Sequence, residues 1–370
     1  MELKNRYQSL DVFRGIDVAL MIIVNTAGDG STTFSPLLHA NWHGFTLTDL
    51  VFPTFLFLVG TSMSFSMKIY ETAGQRAVLR KILVRMTVIF LIGYIMYWFP
   101  FMRQNETGEW IVKPLAGTRI FGVLQRIALC YAIGALVVYF WKLKGAIIFS
   151  IVALFGYWLI LVVFGDLTLT GNAVLRFDTW LIGERHLYHG EGVGFDPEGL
   201  LSTLPAIANV LIGYCAGRFI RENGATFETI AKLMMAGAVL VFAGLAWDLV
   251  FPINKKLWTS SFVVYTCGID LMVMAILLYL IDVLNWKSWT YFFEVLGRNT
   301  LFIYLVSEFV AITLIVFPSR GDSFYHTIFV NGFQSWAGGY MGSLLFAVSF
   351  MLLCWVVGYW MDKRRIYVKI

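Results

Sequence analysis

Long apolar segments, each close to the length that crosses a bilayer, most constrain how this chain can fold. A helix needs about 20 apolar residues to span the hydrocarbon core. Such segments cover approximately residues 12–28, 47–67, 82–100, 120–140, 146–165, 203–220, 231–250, 261–283, 298–317 and 341–360, to within a few residues at each end. The pattern predicts an all-α polytopic membrane protein with about ten transmembrane helices, forming a single domain over residues 1–370.

The composition supports a membrane protein and excludes other classes. Hydrophobic residues make up 59% of the chain and charged residues only 14%, and the mean hydropathy is +0.73. A soluble domain is typically about 45–50% apolar and about 25% charged, and one soluble core of this size could not bury so much apolar side chain. We therefore exclude a soluble enzyme, a disordered chain and a collagen-like fibre. The net charge of +5 forms no basic face or reader motif, so no nucleic-acid partner is expected.

The distribution of basic residues predicts the orientation of the spans. With ten spans, one side holds both termini and the loops near 68–85, 141–145, 218–232 and 284–298. That side carries 19 of the 28 Lys and Arg residues: Lys4, Arg6, Arg14, Lys68, Arg76, Arg80, Lys81, Arg85, Lys142, Lys144, Arg218, Arg221, Lys232, Lys287, Arg298, Lys363, Arg364, Arg365 and Lys369. Because such residues accumulate in cytoplasmic loops, both termini are predicted to be cytoplasmic. The first span is the weakest, since Arg14 and Asp17 interrupt it.

The histidines all fall on the opposite, extracytoplasmic side. They are His39, His43, His186, His189 and His326. In the stretch LLHANWHGFTLTDLVFP, Asp49 begins a span ten residues after His39, so its carboxylate could orient an imidazole that acts as a base. Asn25 ends the preceding span and approaches His39 from that side. These residues are the candidate catalytic groups, and a solvated loop histidine is the common alternative.

Ionisable and amide side chains also lie in the spans or at their ends. They are Asp17, Asn25, Asp49, Gln125, Arg126, Asp248, Asp270, Asn299 and Glu308. Such groups are costly in a membrane, and they either pair with one another or line a cavity. Taken singly, an interhelical hydrogen bond or ion pair explains each of them; taken together, they favour a polar cavity.

The long loop 166–202 allows a metal-binding alternative. His186 and His189, with Asp196 and Glu198, could hold a zinc ion. Their spacing matches no standard zinc motif, so no metal is predicted. In the phrase FDPEG, Asp196 and Pro197 more simply form a turn that leads into the sixth span.

Several stretches resemble one family. They are SLDVFRG at 9–15, the region of Asn25, HANWHGFTLTDLVFPTFLFLVG at 39–60, GVLQRIALCY at 122–131, HLYH at 186–189, FDPEGLL at 195–201, PINKKLWTSSFV at 252–263 and GRNTLFIYLVSE at 297–308. In this order, and along nearly the whole chain, they are similar to the heparan-α-glucosaminide N-acetyltransferases, a family of transmembrane acetyltransferases.

The resemblance implies that the acetyl group of cytosolic acetyl-CoA is transferred to the amine of an extracytoplasmic amino sugar of the glucosamine type. In the family motif H-A-x-W-x-G the active histidine corresponds to His39, and Asn25 and Asp49 match the family's asparagine and aspartate. The lysosomal members have a lumenal N-terminal domain and an extra leading helix. This sequence starts at the catalytic core, which favours a short bacterial member in the inner membrane. The acceptor could then be a peptidoglycan fragment, a chitin sugar or a scavenged glycan.

Further candidate residues are assigned to the two substrates. For acetyl-CoA they are Arg14, Lys81, Arg85, Gln125, Arg126 and Arg298, with ordinary positive-inside charge as the alternative for the basic groups at the cytoplasmic mouth. For the acceptor sugar they are Trp42, His186, Asp196, Glu198, Asn299 and Glu308. We expect coenzyme A to occupy a slot lined by the first, second and fourth helices. His39 would then take the amine proton and Asn25 would donate to the oxyanion, with an acetyl-histidine intermediate as the alternative.

Two other functions are kept as alternatives. A transporter for a sugar or organic anion would use the intramembrane charges as a substrate path, but no internal repeat or pair of broken helices is evident. A membrane O-acyltransferase acting on envelope sugars would share the donor and differ in the acceptor atom. The lipid bilayer is the expected environment, and association into a homodimer is left open.

Overall fold

Helices dominate the computed structural model, which describes residues 7–67, 74–105, 108–319 and 322–368. The helices are α1 (Gln8–Asn25), α2 (Leu47–Ser66), α3 (Gln75–Trp98), α4 (Val123–Phe164), α5 (Ala173–Ile182), α6 (Thr203–Asn223), α7 (Phe227–Asp248), α8 (Ser260–Leu277), α9 (Thr290–Arg298), α10 (Thr300–Val316), α11 (Phe324–Phe329), α12 (Ser335–Ala337) and α13 (Gly339–Lys363). Two π-helical turns, Leu278–Val283 and Val330–Gln334, extend α8 and join α11 to α12. Lys4, Arg6, Lys68 and Lys369, which contributed to the predicted orientation, lie outside the described residues.

Two short antiparallel hairpins, which the sequence did not predict, accompany the helices. Strand β1 (Met102–Gln104) pairs with β2 (Trp110–Val112) in the loop after α3. Strand β3 (Pro318–Ser319) pairs with β4 (Asp322–Ser323) after α10. Each contributes only two or three residues per strand, so the architecture is that of a helical bundle.

α4 is 42 residues long, but it does not continue in one direction. Lys142, with φ 54° and ψ −150°, interrupts its helical backbone. Before this point, the Arg126 guanidinium lies 4.7 Å from the ring of Trp258, and after it the Tyr157 hydroxyl donates to the Leu257 carbonyl. A straight helix would separate positions 126 and 157 by about 46 Å. The chain therefore turns back at Lys142, and residues 123–141 and 143–164 form an antiparallel pair.

The ten predicted apolar segments all fall on helices, with two of them on the two halves of α4. Among the described residues, six helices are long and apolar enough to cross a membrane, or seven if α9 and α10, which meet at an 81° bend, count as one span. The fold is therefore that of a mostly helical, polytopic membrane protein. The number of ten crossings and the side on which each terminus lies stay predictions.

Close contacts through glycine hold the central helices together. A Cβ on Gly60 would lie 1.8 Å from the carbonyl oxygen of Val210, and one on Gly213 would lie 2.0 Å from that of Phe57. α2 and α6 therefore approach backbone to backbone, as small residues allow in membrane bundles. α7 instead exposes large apolar side chains such as Val239 and Phe242, as expected of a surface that faces lipid.

Candidate active site

The loop before α2 holds His39 against a buried carboxylate. Nδ1 of His39 lies 2.7 Å from Oδ1 of Asp49. The second oxygen, Oδ2, accepts hydrogen bonds from the backbone nitrogens of Ala40 at 3.1 Å and Thr46 at 3.0 Å, and from the Thr46 hydroxyl at 3.0 Å. Thr46 and Asp49 also form a capping box, so the same residues start α2 and orient the carboxylate. Because Nδ1–H of His39 donates to Asp49, Nε2 keeps the lone pair of a base.

His39 opens into a cavity of about 410 Å³ at the end of the helical bundle. Asn25, at the end of α1, lines the same cavity and donates through Nδ2 to Oε1 of Glu308 on α10 at 3.3 Å. A smaller cavity of about 130 Å³ shares His39 and Asn25 and extends between α1 and α2. The structure therefore brings His39, Asn25 and Asp49 together, as the sequence predicted, and places Glu308 beside them.

Arg119 organises one wall of this cavity. Its Nε and Nη2 donate to the two carboxylate oxygens of Asp196 at 2.8 and 2.6 Å, and Nη2 also donates to Glu198 at 2.6 Å. The guanidinium stacks against the rings of Tyr97 and Tyr188, 4.9 and 4.8 Å from their centres. Burial opposes its charge, but hydrogen bonding to Asp196 and the neighbouring anions prevail, so the pKa of Arg119 is raised.

Glu198 and Lys255 line both cavities and bring opposite charges to His39. Burial raises the pKa of Glu198, but the cations of Arg119, Arg126 and Lys255 outweigh it and hold the pKa below its usual range. Glu198 is therefore an anion at neutral pH. Nζ of Lys255, from the loop before α8, lies 3.1 Å from Nδ1 and 3.2 Å from Nε2 of His39.

A third cavity, of about 210 Å³, lies further along α2. Arg14 of α1 and Arg85 of α3 line it, as do Phe55 and Ser66 on α2. The Arg85 guanidinium lies 4.5 Å from the ring of Tyr131, and Nη2 of Arg14 lies 3.1 Å from Oδ1 of Asp11. Two of the predicted donor-binding cations therefore share a cavity. Lys81 is exposed one turn before Arg85 and does not line it.

Other predicted donor-binding residues lie away from these cavities. Arg126 is buried in protein, as expected for an arginine that avoids lipid, and donates to the Gly199 carbonyl at 3.2 Å and to the Ser202 hydroxyl. Gln125 is also buried and packs against Gly93 of α3. Arg298 forms an ion pair with Glu294 of its own helix, α9, at 2.6 Å, and one with Asp362 of α13 at 2.7 Å, which joins the two helices. Arg126 and Arg298 therefore have polar partners within the protein, whereas both polar atoms of the Gln125 amide are buried without a hydrogen-bond partner among the described residues.

Three of the residues predicted to bind the acceptor sugar form hydrogen bonds with the protein backbone away from these cavities. The Trp42 indole donates to the Leu167 carbonyl at 2.7 Å, and Nδ1 of His186 lies 2.9 Å from the Thr118 carbonyl. The Asn299 amide bonds the backbone of the C-terminal segment, to Ile366 at 3.0 Å and from Val368 at 2.9 Å. Asp196 reaches the cavity wall through Arg119, whereas Glu198 and Glu308 line it directly. Residues 7–67, 74–105, 108–319 and 322–368 contain no group of three His, Cys, Asp or Glu side chains that could hold a metal ion.

The sequence reasoning missed Arg119, Lys255, Tyr97 and Tyr304, all of which line the larger cavity. Lys255 lies within PINKKLW, a stretch that carried the family resemblance without receiving a role. Arg119 and Lys255 each stand a few residues before a helix on the side that holds His39. A charged residue just before a helix, on the side of the bundle that holds His39, is the sequence feature that could have identified Arg119 and Lys255.

Comparison with known proteins identifies similar sequences. Residues 6–251 match the family described as heparan-alpha-glucosaminide N-acetyltransferase, catalytic. The mouse protein named heparan-alpha-glucosaminide N-acetyltransferase is 29% identical over 367 residues, and the human protein of the same name is 26% identical over 364. Each alignment covers 82% of this chain and 53% of the relative. The chain therefore spans about half the length of the curated relatives it matches.

Proposed function

Since this chain belongs to the catalytic family of the heparan-α-glucosaminide N-acetyltransferases, we propose that it transfers the acetyl group of acetyl-CoA to the amine of a glucosamine-type sugar. The observation that carries the proposal is the 2.7 Å bond between His39 and Asp49 at the edge of a cavity. That bond selects the tautomer in which Nε2 can accept a proton. A base in this state is what an amine needs in order to attack a thioester.

The reaction can be written with the residues that line the cavity. The amine nitrogen attacks the thioester carbonyl carbon while Nε2 of His39 takes a proton from it. A carbon–nitrogen bond forms, the carbon–sulfur bond breaks, and the imidazolium returns the proton to the leaving thiolate. The amide of Asn25, which donates to Glu308 and lines the same cavity, would donate to the oxygen that becomes negative. The anionic carboxylate of Glu198 would attract the acceptor as its ammonium ion, which must release one proton to solvent before the neutral amine can attack.

The donor would reach His39 along α2. The cavity with His39 is lined by Thr48, Val51 and Phe52, and the cavity with Arg14 and Arg85 begins one turn later at Phe55. Thr48 and Ser66 are separated by about 27 Å along the helix, which is most of the thickness of a hydrocarbon core. An elongated donor could therefore place its phosphates near the two arginines and its thioester near His39. α1, α2 and α4 contribute to these walls, as the predicted slot requires.

The charge distribution supports transfer from one compartment to another. The cavity with Arg14 and Arg85 lies towards the side of the membrane that we predict to be cytoplasmic. The cavity with His39 lies towards the extracytoplasmic side. Acetyl-CoA would enter from the cytosol and the amino sugar from outside. In a bacterium, the enzyme would lie in the inner membrane.

Replacement of His39 tests the chemistry. His39→Ala should lower acetyl transfer about 10²–10⁴-fold while leaving coenzyme A binding intact. His43→Ala is the matched control, because His43 belongs to the same loop but contacts Asn254 instead of a carboxylate. Transfer is measured by mass spectrometry as N-acetylglucosamine formed from isotope-labelled acetyl-CoA. Near-normal turnover in folded His39→Ala would reject the assignment.

Sealed proteoliposomes test the direction of transfer. Acetyl-CoA is placed on one side of the membrane and glucosamine on the other, with orientation established by protease access. We expect product when the substrates are on opposite sides. Product only when both share a side would mean a one-sided acetyltransferase, and an acetyl ester instead of an amide would favour O-acyl transfer.

A further inference from the structure

The side chain of Lys255 has an unusual position relative to His39. Its Nζ lies at almost the same distance from both ring nitrogens, 3.1 and 3.2 Å. An atom in the plane of the imidazole and equidistant from both nitrogens would overlap Cε1 at these distances. Nζ therefore lies over the face of the ring. The lone pair of Nε2 points outward in the ring plane, so it stays available to a substrate.

We propose that Lys255 is a positioning residue that acts through His39, because its ammonium over the imidazole face keeps His39 neutral and able to accept the amine proton. This inference rests on the proposed function, in which His39 is the base. A nearby cation disfavours a second positive charge on the ring. Without it, the carboxylate of Asp49 would favour the imidazolium, which cannot act as a base.

The protonation state of His39 depends on the balance between the anions and the cations around its ring. Asp49 contacts the ring from α2, and Glu198 lines the cavity from the loop before α6. Lys255 is the cation that the described residues place within hydrogen-bonding distance of the ring. Other charged or titratable groups face the same cavity at longer range: Tyr97, Arg119, Tyr188, Glu191, Lys256, Tyr304 and Glu308. The pKa of Lys255 is lowered, chiefly by burial and further by the cations of Arg126 and Lys256, while the anions of Glu198 and Asp49 act in the opposite direction and favour its charged form.

The same cation would also assist the second half of the reaction. Once Nε2 has taken the amine proton, an imidazolium and an ammonium lie in contact. Their repulsion favours transfer of the proton to the leaving thiolate, which restores the neutral ring. Lys255 thus weakens His39 as a base and strengthens its conjugate acid, and a residue that only packs against the ring would do neither.

Chemical modification of His39 tests the inference without acetyl transfer. Diethyl pyrocarbonate reacts with neutral imidazole, and the side chain of His39 is 47% exposed. The full chain in detergent is modified between pH 4.5 and 9, and the peptide that contains His39 is quantified by mass spectrometry. In Lys255→Met we expect the midpoint of reactivity to move up by about one pH unit, the size expected for one charge at contact distance in a water-like dielectric. On the acidic side the rate of modification then falls about tenfold.

Two further variants separate charge from packing. Lys255→Arg keeps the cation, so its midpoint should stay with that of the wild type. Lys256→Met removes a charge from the same cavity, but Lys256 pairs with Glu191 at 2.6 Å instead of contacting His39. Its midpoint should move much less. If Lys255→Met does not fold, Lys255→Gln, which keeps a polar side chain of similar length, replaces it.

The pH dependence of turnover gives the second readout. At saturating substrates, Lys255→Met should lose activity at acidic pH and recover towards the wild-type rate at alkaline pH. An unmoved midpoint of His39 modification overturns the inference, and so does an equal loss of turnover at every pH, which would indicate oxyanion stabilisation. If the wild type transfers no acetyl group but the midpoint still moves, the proposed function fails while the coupling of Lys255 to His39 stands.

Discussion

Replacing Asp49 with asparagine should disable His39 without removing it. Oδ2 of Asp49 accepts three hydrogen bonds, from Ala40 and Thr46, while Oδ1 accepts one from His39. The single oxygen of an asparagine amide will face the three donors, because the reverse orientation would set an NH₂ group against them. The NH₂ group then points to Nδ1 of His39, which must accept. The ring proton moves to Nε2, and the base is lost.

The expected loss of activity follows from the role of His39 as the general base. Loss of a positioned general base costs about 10²–10⁴-fold in kcat, or roughly 3–5 kcal/mol in activation free energy. The retained oxygen still caps α2, so the loss of stability should stay below about 1 kcal/mol. The variant should therefore fold, bind coenzyme A and fail in catalysis.

The assay combines turnover with a double-mutant comparison. Labelled acetyl transfer and thermal unfolding are measured for Asp49→Asn, His39→Ala and the double variant. Because the two residues act as one unit, the double variant should be no slower than His39→Ala alone. Asp248→Asn is the matched control, since Asp248 accepts a backbone hydrogen bond from Ile253 that an amide can also accept. A rate for Asp49→Asn within a few-fold of the wild type, or a double variant much slower than His39→Ala, would refute the reasoning.

Three further predictions concern stability and topology. Arg119→Met should destabilise the protein by about 3–5 kcal/mol, because it leaves the buried carboxylate of Asp196 without its cation and removes one of the cations near Glu198. An unfolding temperature no lower than that of Arg103→Met, which changes an exposed residue, would contradict this. Burial raises the pKa of Asp178 to about 7. The folded state therefore keeps a proton that the unfolded chain loses near pH 4, and the free energy of unfolding falls as the pH rises from about 4 to about 7. Asp178→Asn should flatten the dependence of unfolding temperature on pH between 5 and 8, and an unchanged slope would contradict it. Tags on both termini should be cleaved only from the cytoplasmic side of sealed vesicles; if only one tag is cleaved from that side, the number of spans is odd.

Hydropathy located the long helices, but short elements depended on contacts that it does not record. α9 has only nine residues and lies within residues 284–298, which the sequence predicts to be a loop between two spans. It forms where it packs on α1: a Cβ on Gly297 would lie 1.9 Å from the Asp11 carbonyl oxygen, and one on Gly15 would lie 1.8 Å from that of Phe293. Such an approach is a property of two helices together. The sequence predicts a loop near residues 141–145. In the structure the chain reverses there at one residue, Lys142, which has non-helical dihedral angles.

The site was predictable where it is local in sequence. His39 and Asp49 are ten residues apart and hydrogen-bonded to each other, and Asp49 is fixed at the start of α2 by its capping box with Thr46. The family resemblance that included His39 and Asp49 is confirmed by the match over residues 6–251. Arg119 meets Asp196 across 77 positions, and Lys255 meets His39 across 216. No spacing rule relates residues so far apart. A polar cavity could be expected from the number of buried polar groups, but its charged partners could not.

The cavity itself carries an argument about topology. His39, Arg119, Glu198 and Lys255 stand just before α2, α4, α6 and α8, so four helix N-termini meet at one place, and their dipoles favour negative charge there. Between two successive starts the chain therefore leaves this end of the bundle and comes back to it, first through α2 and α3, then through the two halves of α4, and then through α6 and α7. Glu308 on α10 faces the same cavity. Such returning pairs are what the ten-span prediction requires, but α3 is not among the helices of the described residues that qualify by length and hydropathy, so ten crossings stay a prediction.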